Sequence, residues 1–188
     1  MIEPELLLQG YRLGVFPMGM TDDSIEWFSP DPRAVLPLEK FHVPHGLRRI
    51  VERKVFEIRV NTRFAEVIRA CARREDTWIN PEIIESYERL HELGYAHSVE
   101  AWANDKLAGG LYGVAIGGAF FGESMFHRIT DASKVALVAL VERIRRQKFV
   151  LLDTQWMTPH LVQFGAREIP RGDYLRVLSR AVDLARKF

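Results

Sequence analysis

The chain has one cysteine, no long apolar run, almost no net charge and no low-complexity tract, and each shortage excludes a class of protein. A lone Cys71 cannot form an internal disulfide, which excludes a small secreted scaffold held by bridges and fits a reducing compartment. No apolar stretch approaches the roughly 20 residues needed to span a bilayer. The start, Met1-Ile2-Glu3-Pro4-Glu5, is acidic and lacks the basic-then-apolar order of a secretory signal. The expected location is therefore the cytoplasm. With 26 Lys+Arg against 25 Asp+Glu, the net charge of +1 argues against a protein that coats nucleic acid regardless of sequence.

What is present fits a globular enzyme. Hydrophobic residues make up 47% of 188, enough for one sizeable core. The expected division is a small N-terminal region, residues 1–60, followed by a catalytic domain over 61–188. Cations gather at Arg48, Arg49, Arg53 and Lys54, at Arg143, Arg145, Arg146 and Lys148, and at Arg171, Arg176, Arg180, Arg186 and Lys187. Each group reads as a solvated face or helix end, or as part of a compact RNA footprint.

Helix signals are clear. Pro4 to Leu13 predicts a short helix stopped by Gly14, and Thr62 is placed to cap one that buries Phe64, Val67, Ile68 and Cys71. Asn80-Pro81 starts another, ended by Gly94. Asp131 is placed to cap the most apolar helix, through Val135, Leu137, Val138, Leu140, Val141 and Ile144, which belongs deep in the core. Thr158-Pro159 and Asp173 to Lys187 predict two more. Strands are expected at Phe56–Val60, His97–Trp102, Leu107–Ile116, Ala119–Ser124 and Phe149–Thr154, with Asn104-Asp105 and Gly117-Gly118 as turns. This order describes an α+β fold: an antiparallel meander joined to a crossover unit, as in an acyltransferase-like mixed sheet with flanking helices.

Several tempting motifs fail. His91-Glu92 lacks the second histidine of a zinc-protease helix, and neither Gly109-Gly110 nor Gly117-Gly118 leads into a helix that could hold phosphate. Cys71 lies on an apolar helix face, and no Ser-His-Asp set emerges. Two segments resist a bland reading. Glu123, beside Phe120, Phe121, Met125 and Phe126, either faces water or is a carboxylate awaiting a substrate ammonium group. Asp153 and Gln155, at the end of an apolar strand, point to one side, where Asp153 could orient the Gln155 amide to accept from an attacking amine. Aminolysis of an activated ester suits such equipment, because it needs mainly orientation and a proton acceptor and calls for no metal or organic cofactor. Trp78, just before the Asn80-Pro81 start, is either a lid on the core or a platform for an unpaired base. Trp27-Phe28 and Trp156 are expected in core packing.

Trp27-Phe28-Ser29-Pro30-Asp31-Pro32-Arg33, Gly122-Glu123-Ser124-Met125-Phe126, Ala132-Ser133-Lys134, Asp153-Thr154-Gln155, His160-Leu161 and Phe164-Gly165-Ala166 occur in that order. The chain thereby resembles the leucyl/phenylalanyl-tRNA–protein transferases over about residues 6 to 180. The resemblance implies an acyl-CoA N-acyltransferase-like fold and transfer of Leu or Phe, less readily Met, from aminoacyl-tRNA to proteins beginning with Lys or Arg, marking them for degradation. It implies that Asp153 orients Gln155, that Gln155 assists proton removal from the α-amine, that Glu123 contacts that amine, and that Trp78 stacks on the terminal adenine. It places the aminoacyl pocket at Leu111, Phe120, Met125, Leu137, Leu140, Ile144 and Leu152, all apolar here. A monomer without cofactor or membrane partner is expected. Two departures stand out. Met18 occupies the place of a second base-stacking tryptophan, and Leu140 and Ile144 replace larger aromatics. The matching region begins within a few residues of Met1. An acyl-CoA-dependent N-acyltransferase and a catalytically silent RNA-binding module are the alternatives.

Overall fold

A computed structural model describes residues 1–74 and 76–188. The elements run α1 (Pro4–Arg12), β1 (Phe16–Gly19), β2 (Ile25–Phe28), β3 (Arg33–Val35), a 3₁₀ turn (Leu38–Lys40), α2 (His45–Glu52), β4 (Glu57–Val60), α3 (Phe64–Cys71) and α4 (Pro81–Glu92). They continue with β5 (Ala96–Ala103), β6 (Lys106–Ile116), β7 (Ala119–His127), α5 (Ala132–Arg146), β8 (Leu151–Gln155), α6 (Pro159–Val162), β9 (Arg167–Ile169) and α7 (Arg171–Val182). β1 and β2 form a separate hairpin. The others make a seven-stranded sheet in the order β4-β5-β6-β7-β8-β3-β9, so residues 1–60 supply β3 and β4 to it.

The expected α+β architecture, a mixed sheet with flanking helices, is present. β5, β6 and β7 form the expected meander, with Asn104 and Asp105 both at positive φ (49° and 56°) as a two-residue hairpin turn requires. α5 crosses over to β8, which lies parallel to β7. Alternation along the strands then builds two cores. Leu111, Phe120 and Leu152 pack with Val135, Leu137, Leu140 and Ile144 of α5 on one face. Tyr112, Phe121 and Leu151 pack with residues of α1, α3, α4 and α7 on the other. Each fully buried side chain of this size contributes roughly 1.5–3 kcal/mol, which is why α5, apolar on most of its girth, lies deep.

Two helix starts differ from expectation. Thr62 does not cap α3. Its N–H and that of Arg63, the N-cap residue, donate instead to Glu100 Oε1 of β5 at 2.9 and 2.8 Å, and its hydroxyl donates to Oε2. Ser98 and Trp102 also donate to Glu100. Burial pushes that carboxyl up, but these donors outweigh it and hold the group below its ordinary range. Asp131 does stand at the N-cap of α5, yet in the left-handed region (φ 67°), and its carboxylate pairs with Lys134 at 2.7 Å rather than with a helix N–H. Asn80 does cap α4, accepting from Ile83 N–H at 2.9 Å.

Candidate active site

β7 and β8 pair only from Ala119↔Leu151 to Phe121↔Asp153. Beyond that point β7 stays with β6 while β8 ends at Gln155, and a cavity of about 570 Å³ opens where the strands part. The C-terminal ends of parallel strands are a common place for ligands. A bulge re-aims the side chains here: Gly113 faces Gly122 and Tyr112 faces Ser124, so Glu123 is the extra, unpaired residue. The close approach requires glycine at 113, where a Cβ would lie 2.2 Å from the Phe121 carbonyl oxygen.

Asp153 is fully buried behind the cavity. Arg33 donates to it from both sides of its fork, Nε to Oδ1 at 3.0 Å and Nη2 to Oδ2 at 2.7 Å. Tyr174 hydroxyl donates to Oδ2 at 2.7 Å, and the Gln155 backbone N–H donates to Oδ1 at 2.8 Å. A buried carboxylate costs several kcal/mol unless paired; Arg33, itself 1% exposed and sandwiched between the Phe16 and Tyr174 rings, is the pair. Asp153 thus holds Gln155 by its backbone, not by its amide, which differs from the arrangement expected from sequence. Gln155 sits at φ 64°, a left-handed conformation that costs a non-glycine residue about 1 kcal/mol and recurs at functional sites.

The Gln155 amide is oriented by Glu123 instead: Nε2 donates to Glu123 Oε1 at 3.0 Å, which turns the amide oxygen the other way. Tyr11 hydroxyl donates to the same Oε1 at 2.7 Å, and Tyr87 hydroxyl lies 3.5 Å from Oε2. Tyr11 and Tyr87 also share a hydrogen bond. Burial raises the Glu123 carboxyl to about 7, although the Tyr11 and Gln155 hydrogen bonds pull it down. Burial also raises the Tyr11, Tyr87 and Tyr112 phenols well above their usual range, so all three stay neutral donors.

Leu111, Met125, Leu137, Leu140 and Leu152 form an apolar wall, and Met18 and Trp78 also line the cavity. The last two are brought together because Gly19 N–H donates to the Trp78 carbonyl at 2.9 Å, tying β1 to the loop before α4. Three buried polar atoms around the cavity, Tyr112 hydroxyl, Thr154 Oγ1 and His160 Nε2, have no hydrogen-bond partner among the described residues.

Of the residues singled out from sequence, Gln155, Glu123, Trp78, Met18, Leu111, Met125, Leu137, Leu140 and Leu152 line one cavity. Phe120 and Ile144 do not: both are fully buried in the core behind that wall. Trp156, expected in the core, is instead 41% exposed and lines the cavity, with its edge against Phe16 and Phe28. Cys71 is buried and its thiol is pushed up to about 12, so it is no nucleophile. Tyr174, Tyr11 and Tyr87 carry no local motif, and Arg33, although it ends the Trp27–Arg33 motif, was given no role from sequence. The signal that existed was the need of a buried Asp153 for a cation, and Arg33 ends the Pro30-Asp31-Pro32 run. Among the described residues, no group of three or more His, Cys, Asp or Glu is placed to hold a metal ion, and no helix is long and apolar enough to cross a membrane.

Residues 35–179 match the model of the leucyl/phenylalanyl-tRNA protein transferase family, and residues 1–31 match the model of its N-terminal domain. A leucyl/phenylalanyl-tRNA–protein transferase of Akkermansia muciniphila is 54% identical over 187 residues, covering 97% of each chain. One of Herpetosiphon aurantiacus is 53% identical over all of this chain and 98% of its own. A solved structure of a functionally unknown protein from Staphylococcus epidermidis overlays with a TM-score of 0.49 at 12% identity, over 90% of this chain and 65% of that one. That overlay is too loose to bear on chemistry.

Proposed function

Because the chain belongs to the leucyl/phenylalanyl-tRNA protein transferase family, we propose that its cavity transfers Leu or Phe, and Met less readily, from aminoacyl-tRNA to the α-amine of proteins beginning with Lys or Arg, marking them for degradation. It is an aminoacyltransferase. The observation that carries the assignment to this cavity is the Gln155–Glu123 pair set at the parting of β7 and β8, beside an apolar wall.

In this reading Leu111, Met125, Leu137, Leu140 and Leu152 receive the aminoacyl side chain. Trp78 and Met18 flank the terminal adenine. The Gln155 amide oxygen accepts from the acceptor amine, Glu123 contacts it, and Asp153 positions Gln155 through its backbone. The amine attacks the ester carbonyl directly, the C–N bond forms, and the ribose oxygen leaves with a proton. Holding both partners in place supplies most of the acceleration such a reaction needs. An acyl-CoA donor is disfavoured because the turn into α5, Phe126-His127-Arg128-Ile129-Thr130, has no glycine to bring backbone N–H groups around a pyrophosphate.

The test is transfer of labelled amino acid from Leu-, Phe- or Ser-tRNA to peptides beginning with Arg, Lys or Ala. Label on Arg and Lys peptides from Leu and Phe donors alone is expected. Label on the Ala peptide equal to that on Arg, or none on any, overturns the assignment. Recovery of labelled aminoacyl group covalently on the protein at a competent rate would overturn direct attack.

A further inference from the structure

Resting on the aminoacyl transfer assigned above, we propose that Glu123 is the catalytic base that takes and holds the acceptor amine's proton, with Gln155 steering the amine and Asp153 acting only as a positioning residue. The three side chains differ in how much room their oxygen atoms leave for a proton. Asp153 has none: four donors fill its two oxygens, two of them from a buried guanidinium. Protonating it would break a buried bidentate ion pair, and it does not line the cavity. The Gln155 amide oxygen accepts hydrogen bonds but does not keep a proton near neutral pH. It is a guide, not a store.

Glu123 has both the room and the affinity. Oε1 is engaged by Tyr11 and Gln155, whereas Oε2 has only the long contact to Tyr87. The side chain lines the cavity, and among the described residues no cation lies within ion-pairing distance of it. The groups around it are Tyr11 of α1, Tyr87 of α4, Tyr112 of β6, Gln155 and Asp153 of β8, and Arg33 of β3, which acts at longer range and is neutralised by Asp153. Its donors are neutral, so nothing fixes Glu123 as a permanent anion. A carboxyl titrating about 7 is close to an ordinary α-amine at about 7.7–8, so exchange between them is nearly level.

The step balances. The acceptor enters as an ammonium. One proton passes to Glu123 Oε2, leaving a lone pair on nitrogen, held by hydrogen bonding to Gln155. Nitrogen bonds to the ester carbonyl carbon, the bond from that carbon to the ribose oxygen breaks, and a second N–H proton goes to the ribose oxygen. The third hydrogen remains on the new amide. Glu123 then gives its proton to water, and the site is reset.

Single-turnover transfer from Leu-tRNA to a saturating Arg peptide, followed from about pH 6 to about pH 8.5, tests this. Glu123→Gln should lower the maximal rate about 100-fold near pH 6.5, a usual size for a lost general base. The deficit should shrink to about 10-fold or less at pH 8.5, where most acceptor amine is already neutral. Tyr11→Phe, a milder change, removes a donor that stabilises ionised Glu123. It should move the acidic limb of the peptide kcat/KM profile upward in pH. A limb belonging to the free peptide amine would not move with an enzyme substitution. A pH-independent deficit, a loss confined to the peptide KM, or an unmoved limb in Tyr11→Phe overturns Glu123 as the base. Wild-type protein that transfers nothing at any pH overturns the assigned reaction itself, a distinct outcome.

Discussion

Asp153 Oδ1 accepts the backbone N–H of Gln155 at 2.8 Å while Gln155 turns through φ 64°, so the carboxylate holds a backbone conformation and leaves the amide to Glu123. The strained residue and the residue that restrains it are two apart in the same strand end.

The strain and the chemistry at 155 can therefore be separated. Gln155→Gly and Gln155→Ala should both slow transfer on the order of 100-fold, with tRNA binding changed only a few-fold. The glycine variant should be the more stable by about 1 kcal/mol, because glycine enters the left-handed region freely. Thermal melts, filter binding and single-turnover rates check this, and equal loss of binding and rate would make Gln155 a binding residue.

Arg33→Met should cost about 3–5 kcal/mol, since it leaves Asp153 buried beside no cation. Adding Asp153→Leu should return much of that stability, because the charge in need of a partner is then gone. Transfer should stay lost in the double variant, whose Gln155 N–H has no acceptor. Urea denaturation with activity measured alongside completes the cycle.

Glu123 makes stability fall as pH rises. Its folded-state value of about 7 lies above the ordinary 4.5, so the folded chain holds the extra proton between those values. Its contribution is fully present below about pH 4.5 and is lost as pH climbs through 7. Glu123→Gln cannot ionise and still offers an oxygen to Tyr11 and Gln155. Relative to wild type it should gain on the order of 3 kcal/mol between pH 5 and pH 8, read from denaturation midpoints at both. A constant difference across that range would mean that the carboxylate is not desolvated.

Trp78→Ala should weaken tRNA binding roughly 10- to 100-fold, the usual worth of one base stacked on an aromatic ring. Met18→Trp should strengthen it, because Met18 lines the same cavity as Trp78, to which the Gly19 N–H ties its strand. Binding of a minimal acceptor-stem RNA, measured at one salt concentration, checks both.

Leu140 and Ile144 part company. Leu140 lines the cavity, so Leu140→Phe should cut Phe transfer at least about 10-fold relative to Leu by narrowing the wall. Ile144 is fully enclosed behind it, and Ile144→Phe should instead cost about 1–3 kcal/mol of stability by overpacking. Competition between the two charged tRNAs, with melts of both variants, separates these effects.

Local periodicity and punctuation made most of the second half legible. The Asn80-Pro81 start, the Asn104-Asp105 turn, the apolar run of α5 and the buried β8 all lie where their patterns put them, because each is dictated by residues within a few positions. The first half was harder. β3 is three residues long and survives only between β8 and β9, and no local pattern announces a strand that its neighbours impose. Thr62 looked like a cap because it has a capping side chain. Glu100, 38 positions on, took that work because a buried carboxylate needs donors more than a helix start needs a hydroxyl.

By itself the sequence determined the family, the strand and helix order from β4 to α7 apart from β9, and several of the residues that meet at the cavity, among them Glu123 and Gln155, since residue types and their order along the chain are enough for that. Only the tertiary structure decided what those residues do to one another. Arg33 and Asp153 are 120 positions apart, Tyr11 and Glu123 are 112 apart, and Glu123 reaches the cavity through a one-residue bulge. Proton affinity depends on which donors and charges surround a group after water has been removed, and that company is assembled only when the sheet and its helices close together.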